Sequence, residues 1–291
     1  MMTKAMDDTA RCEAAFVDAC LLDVLAFKPG NVGIHGAGHR LEARDFVRSA
    51  RAASGPLCAP ELTLGQRIAG AVEATHHAVA TNTNLGIVLL AAPLVHAAHR
   101  ASRDRLRFMD ALRMVLEETT VDDANRAFRA IRLANPGGLG DASQHDVRSE
   151  AVTTLRTAMA KAAHRDSIAL QYASGFEAVV ATGLDALRHA RAAGSDWRSA
   201  TQWLFLAYLA RYPDSHVRRK LGESQALALR DEAALRVQCG FGAIRSAASR
   251  RSLVAWDRSL KAEGINPGTT ADLTVATLLL ARLDPSSGIP T

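Results

Sequence analysis

The chain has 291 residues and is 48% hydrophobic, enough for a sizeable core, and its 22% charged residues are close to the globular average, which excludes wholesale disorder. Aromatic residues make up only 5% while Ala and Leu abound, a bias toward closely packed helices and away from β-sandwiches. The net charge of +5, from 35 Lys+Arg against 30 Asp+Glu, suits attraction of a polyphosphate but is too mild to point to nucleic acid, and a basic solvated surface explains it equally well.

The first eleven residues are polar and acidic and lack the layout of a signal sequence, and no apolar run reaches the roughly 18 residues that span a bilayer. A cytoplasmic chain without a membrane partner is the expectation. Cys12, Cys20, Cys58 and Cys239 are widely spaced with no CxxC, which reads as buried thiols rather than a disulfide framework. Residues 14–26 carry apolar side chains at helical spacing, and Lys28-Pro29-Gly30 ends that helix and opens a glycine-bearing loop to Leu41. A second helix starts near Asp45, and a third covers residues 63–80. Thr81-Asn82-Thr83-Asn84 interrupts the pattern before an all-round apolar, hence buried, helix at 85–94. Its ten residues are too few to cross a membrane.

Amphipathic helices are expected at 103–118 and 121–132, then the loop Asn135-Pro136-Gly137-Gly138-Leu139-Gly140. Helical patterns resume over 150–193, with a break near Arg165-Asp166 or Ser174-Gly175, and again over 197–211, 224–240 and 250–263. Asn266-Pro267-Gly268 leads into a last apolar helix to about residue 283. Nothing alternates with period two, so no sheet is expected. The fold class is all-α: a single multi-helix domain, with a core of about 12–283, loose N-terminal residues and a loose 284–291 tail, and polar glycine-containing loops lining one central cleft. The apolar helices at 85–94 and 197–209 are either internal or the interface of a homodimer.

Each polar loop interrupting apolar helices is a usual place for an active site, and each is also an ordinary helix cap. No GxxxxGK[ST] loop, dinucleotide fingerprint or HExxH is present, and His76-His77, being adjacent, point apart on a helix and form no zinc pair. Taken together the loops resemble a family. Lys28-Pro29-Gly30-Asn31-Val32 with Gly36-Ala37-Gly38-His39 is similar to the first motif of the triphosphoribosyl-dephospho-CoA synthases. Asn82-Thr83-Asn84-Leu85-Gly86 is similar to the second. Tyr212-Pro213-Asp214-Ser215-His216-Val217 with Arg219-Lys220 is similar to the third, and Asn266 to Leu273 to the fourth. The motifs run in the family's order. Asn84-Leu85 stands where carrier-loading members have His-Lys, Pro213-Asp214-Ser215-His216 where they have Gly-Asp-Thr-Asn, and Phe27 where a proline is common.

The resemblance implies an all-α transferase that joins ATP to dephospho-CoA and releases adenine, making the prosthetic-group precursor of citrate lyase and malonate decarboxylase carrier subunits. The altered second motif leaves open a transferase serving another cofactor, such as a one-carbon carrier, or a non-catalytic nucleotide-binding protein. Departure of a base from a ribose C1′ asks for a proton donor and a base, and the triphosphate asks for Mg²⁺ and cationic side chains. The expected phosphate and substrate contacts are Lys28, Gly30, Asn31, His39, Asn82, Asn84, His216, Arg219 and Lys220, with the N–H groups of Gly30, Asn31 and Gly38 as an anion nest. Lys28 reads equally as a lysine at a helix C-terminus. Glu73, Asp214 and Asp272 are the expected catalytic and Mg²⁺-holding carboxylates. Glu73 stands where the family has a glutamate, in a pocket left by its small neighbours. The alternatives are a solvated Glu73, an N-capping Asp214, and an Asp272 in the first turn of the last helix serving the dipole.

Overall fold

The computed structural model describes residues 2–36, 41–136, 147, 149–244 and 246–289. Among these there is no strand, and one isolated bridge joins Gly33 to Gly36. The helices in chain order are α1 (Met2–Leu25), α2 (Ala43–Cys58), α3 (Leu64–Val79), α4 (Leu85–Asp104), α5 (Phe108–Glu117), α6 (Val121–Ala134), α7 (Leu155–Ala162) and α8 (Ser167–Ser174). A π-helical stretch, Ala178–Gly183, runs into α9 (Leu184–Ala192). Then come α10 (Trp197–Arg211), α11 (Ser215–Leu221), α12 (Glu223–Val237), α13 (Gly240–Ile244), α14 (Ala247–Ala262) and α15 (Gly268–Leu283).

Side chains dictate where many of these start. Thr63 and Thr120 each accept the N–H three residues on, while Gln66 and Asp123 reach back to the cap N–H, closing two capping boxes. Asp166, Asp196 and Asp214 cap α8, α10 and α11 with their carboxylates.

The apolar helices α4 and α15 pack on each other at the centre. Helices α1, α2, α3 and α5 surround α4, and α1, α10 and α11 flank α15. A second, smaller core joins α10, α12 and α14 through Phe205, Leu229, Trp256 and Leu260. Helices α4 and α10 turn most of their apolar side chains into these cores. The π-helical stretch ends on a glycine that packing requires. A Cβ on Gly183 would lie 2.1 Å from the Tyr208 hydroxyl and 2.3 Å from Thr277 Oγ1, so only glycine lets that hydrogen-bonded pair in.

The structure differs from the sequence reading in three places. Helix α4 has 20 residues, not ten, and by length and composition it could cross a membrane, but 67% of its most apolar window is buried inside the protein. It runs on because Pro93 is accommodated: the Leu89 carbonyl, which Pro93 cannot serve, accepts a hydrogen bond from the buried Tyr172 hydroxyl at 2.6 Å. At the N-terminus, α1 already begins at Met2, and Asp8 accepts a hydrogen bond from Ser102 on α4. The tail is tied down to residue 289, with Asp284 capping a short 3₁₀ turn and Ile289 buried.

Candidate functional site

The polar loops meet at a cavity of about 750 Å³, within the size range of small-molecule sites. Its floor is the junction of α4 and α15. Around it stand the C-terminal end of α1, the loop after it, the α3–α4 turn, the α7–α8 turn, and α11. Asn31, Asn82, His216, Arg219, Lys220 and Asp272 of the sequence-derived set all line it.

The closed end is acidic and rich in amides. Asp23 lines it from the last turn of α1 and pairs with Lys28, Nζ to Oδ2 at 2.5 Å. Lys28 also donates to Asn31 Oδ1 at 2.8 Å, and Asn31 Nδ2 donates to Asn266 Oδ1 at 2.9 Å, so the first and fourth motifs are tied together. The Lys28 side chain is 0% exposed and does not line the cavity. It is therefore neither a phosphate ligand nor a solvated end-of-helix lysine. It is the counter-charge of Asp23. Burial pushes Asp23 up and Lys28 down, and each charge partly restores the other. Asp23 Oδ1 is buried with no protein partner.

Gly30 adopts φ +78°, and a Cβ there would meet the Ile265 carbonyl and the Pro267 ring at 3.0 Å, so only glycine lets the first loop seat on the fourth. Its N–H donates to Asp257 Oδ1, and the Asn31 N–H donates to the Lys28 carbonyl. The expected anion nest does not form from these two residues, because both N–H groups are spent. Gly38 and His39 lie outside the described residues.

Asp214 and Asp272 part company. Asp214 caps α11 through His216 N–H and Val217 N–H on Oδ1, and takes Thr270 N–H and Oγ on Oδ2. Burial pushes its carboxyl up while those four hydrogen bonds hold it down. With both oxygens saturated it is a brace between the third and fourth motifs, not a metal ligand. Asp272 lies in the second turn of α15 rather than the first, and lines the cavity. Its carboxyl leans over Gly86 at the start of α4, where a Cβ would come within 2.0 Å of Oδ2. Burial, then the charges of Asp214 and Asp23, push it well above the ordinary carboxylate value, with Lys28 opposing.

The rim is basic. Arg219 reaches Asp166 Oδ2 at 3.4 Å and the His216 ring at 3.4 Å, and Lys220 and Arg165 stand beside it, both exposed. Asp166 also caps α8 through Ile168 and Ala169 N–H. In the second motif Asn82 accepts the Leu85 N–H, Asn84 is the buried N-cap of α4 just off the cavity, and Leu85 lines the wall. Arg165 and Asp166 line the cavity, whereas Gln171 and Tyr172 on α8 do not; Tyr172 is buried in the core.

Glu73 is exposed on α3 and lines no part of the cavity; the stripe α3 buries is Ile68, Ala71, Val72 and Thr75. Its small neighbours serve helix packing, with Gly70 facing Pro56 of α2. The expected trio of Glu73, Asp214 and Asp272 does not converge, and among the described residues no three His, Cys, Asp or Glu side chains are placed to hold a metal ion. Asp23 was missed by the sequence reading, and Arg165 and Asp166 were noted without a role.

A sequence profile of the family described as ATP:dephospho-CoA triphosphoribosyl transferase matches residues 9–290. The chain belongs to this family. It is 37% identical over 116 residues to an Azotobacter vinelandii protein assigned as a probable 2-(5''-triphosphoribosyl)-3'-dephosphocoenzyme-A synthase, covering 40% of this chain and 39% of that one. It is 35% identical over 108 residues to the 2-(5''-triphosphoribosyl)-3'-dephosphocoenzyme-A synthase of Pectobacterium atrosepticum, covering 37% and 34%. The matched stretch thus spans about two fifths of the length of these curated relatives. The fold is similar to the crystal structure of an Archaeoglobus fulgidus protein assigned as a triphosphoribosyl-dephospho-CoA synthase. That match has a TM-score of 0.63 at 25% identity and covers 81% of this chain and 98% of that one.

Proposed function

We propose that this chain is a transferase that moves the triphosphoribosyl group of ATP to a ribose hydroxyl of 3'-dephospho-CoA and releases adenine. The observation that carries this reading is the placement of Asp272 on the lining of a cavity that Arg165, Arg219 and Lys220 also line, with burial and neighbouring acid charges pushing its carboxyl well above the ordinary carboxylate value. The triphosphate lies along Arg165, Arg219 and Lys220, whose forked and ammonium donors suit phosphate oxygens. Asn31, Asn82 and Asn266 orient base and sugar through their amides. As the C1′–N bond breaks, Asp272 gives its proton to the departing adenine. As the new C1′–O bond forms, the acceptor hydroxyl gives its proton to Asp23, whose Oδ1 has no other partner. Two carboxyls, one beside a lysine and one beside other acids, thus take the base and acid roles. Mg²⁺ travels with the ATP, held chiefly by phosphate oxygens and neutralising their charge; such ions need only one or two protein carboxylates.

Leu85 on the cavity wall, where carrier-loading members have a lysine, favours a second reading: the same transfer to a different cofactor precursor. The test is chromatographic detection of free adenine from Mg²⁺ and ATP, with and without dephospho-CoA. Acceptor-dependent release that falls by roughly 10²-fold or more in Asp272→Asn is the expected result, the usual scale for losing a general acid. No adenine with dephospho-CoA overturns that acceptor.

A further inference from the structure

The cavity is chemically divided. Its acids, amides and cations occupy one end and the rim. Elsewhere its lining is apolar: Phe46 from α2, Leu85 from α4, Phe128 and Ile131 from α6, and Met159 from α7. Ile168 from α8 borders the acidic end instead, its Cδ1 and Asp272 Oδ2 both lying against Gly86. Five apolar residues from four helices line this part of the cavity. The division is sharp along α7 and the turn after it. Ala158, Ala162 and Arg165 follow at helical spacing, so one face runs from apolar wall to cationic rim within two turns. A phosphate on that wall would lose its hydration with no cation to replace it, a heavy cost. A wall of this kind gains only from uncharged surface.

From this segregation we infer that the wall formed by Phe46, Leu85, Phe128, Ile131 and Met159 is an acceptor subsite that takes an uncharged arm of the acceptor. The acceptor's hydroxyl-bearing sugar then lies at Asp23 and Asp272. The inference rests on the transferase reading for the placement of ATP: with the triphosphate on the rim and the departing base at Asp272, the wall is the part of the cavity that ATP leaves free. It adds that recognition of the acceptor is carried largely by its uncharged arm, so that hydroxyl compounds lacking such an arm are poor acceptors whatever their phosphates.

The probes are dephospho-CoA, which carries a long amide-and-alkyl arm, and adenosine 5'-diphosphate, which has the same sugar hydroxyls and no arm. Calorimetric binding of each to the whole chain is compared for wild type, Met159→Lys and Met159→Leu, alongside adenine release. Wild type should bind dephospho-CoA at least about 10-fold more tightly, in line with burying several methylene-sized groups. Met159→Lys should shrink that advantage below about 3-fold and leave the KM for ATP nearly unchanged, and Met159→Leu should behave as wild type. If Met159→Lys does not fold, the half-buried Phe46→Ser gives the same comparison. An arm that brings no gain in wild type overturns the inference, as does a Met159→Lys variant that weakens both probes alike or raises the KM for ATP, which would put the adenine of ATP on the wall. Adenine release without an arm-dependent gain defeats the subsite alone. An arm-dependent gain without adenine release defeats the transferase reading alone.

Discussion

Replacing either partner of the Asp23–Lys28 pair should destabilise the protein strongly, and with opposite pH trends. The side chains are 5% and 0% exposed and 2.5 Å apart, so removing one leaves the other charge buried without its partner. Breaking such a pair costs about 3–5 kcal/mol, against a total stability of about 5–15 kcal/mol. For a chain of this size that lowers the Tm by roughly 6–20 °C, at about 2–4 °C per kcal/mol. In Lys28→Met the orphan is Asp23, whose folded pKa rises further above the ordinary 3.8. The folded state then binds more protons than the unfolded one, so stability is greatest at acid pH and falls as pH rises from about 4. In Asp23→Asn the orphan is Lys28, whose folded pKa falls further below 10.5. Its unfolded state binds more protons, so stability falls as pH drops below about 10. The double variant carries neither charge and should recover most of the loss, as replacing both partners of a buried pair often does. Urea unfolding followed by far-ultraviolet circular dichroism at several pH values measures all three. Single variants costing under about 1 kcal/mol, or a double variant as unstable as the sum of the singles, would refute the pairing as a buried charge couple.

Gly86→Ala puts a methyl where Asp272 now leans, so the carboxyl must move; adenine release should fall by roughly 10–100-fold, as displacements of about 1 Å do, while the Tm barely changes. Arg219→Gln should raise the KM for ATP about 10-fold and flatten its dependence on salt, since one charge-assisted contact is worth about 1.5–3 kcal/mol. His96 on α4 is pushed down to about 4, by burial first and then by the nearby Arg67 charge. It stays neutral when folded but protonates in the unfolded chain near its ordinary 6.5, so stability should fall by about 2–3 kcal/mol as pH drops from 6.5 to 4. His96→Leu should flatten that slope in equilibrium unfolding.

The helices and the order of polar loops were legible because both rest on local signals: apolar spacing, threonine and aspartate caps, and the prolines and glycines that end helices. Which loop residue faces ligand and which braces another loop was not, since that is settled by partners far along the chain. Asp214 reads the same in sequence whether its second oxygen meets Thr270 or a metal. Glu73 looked pocketed because its neighbours are small, but smallness on α3 serves the contact with α2. Asp23 did leave a trace. It falls on the stripe Cys12, Phe16, Ala19, Cys20 that α1 buries, and an acid on a buried stripe needs a partner, which Lys28 supplies five residues on. The continuation of α4 through Pro93 had no local signal at all, because the group that rescues it is a tyrosine 79 residues further on.

The hydrogen bond between Asn31 and Asn266 joins residues 235 apart, and the Gly30 contact to Asp257 spans 227. During synthesis the first loop leaves the ribosome long before the segment it must seat on. Until then Lys28 and Asp23 have no lid, and the cavity lacks the wall that α15 provides. A chain lacking residues 257–283 therefore lacks both the seat of the first loop and the α15 side of the cavity.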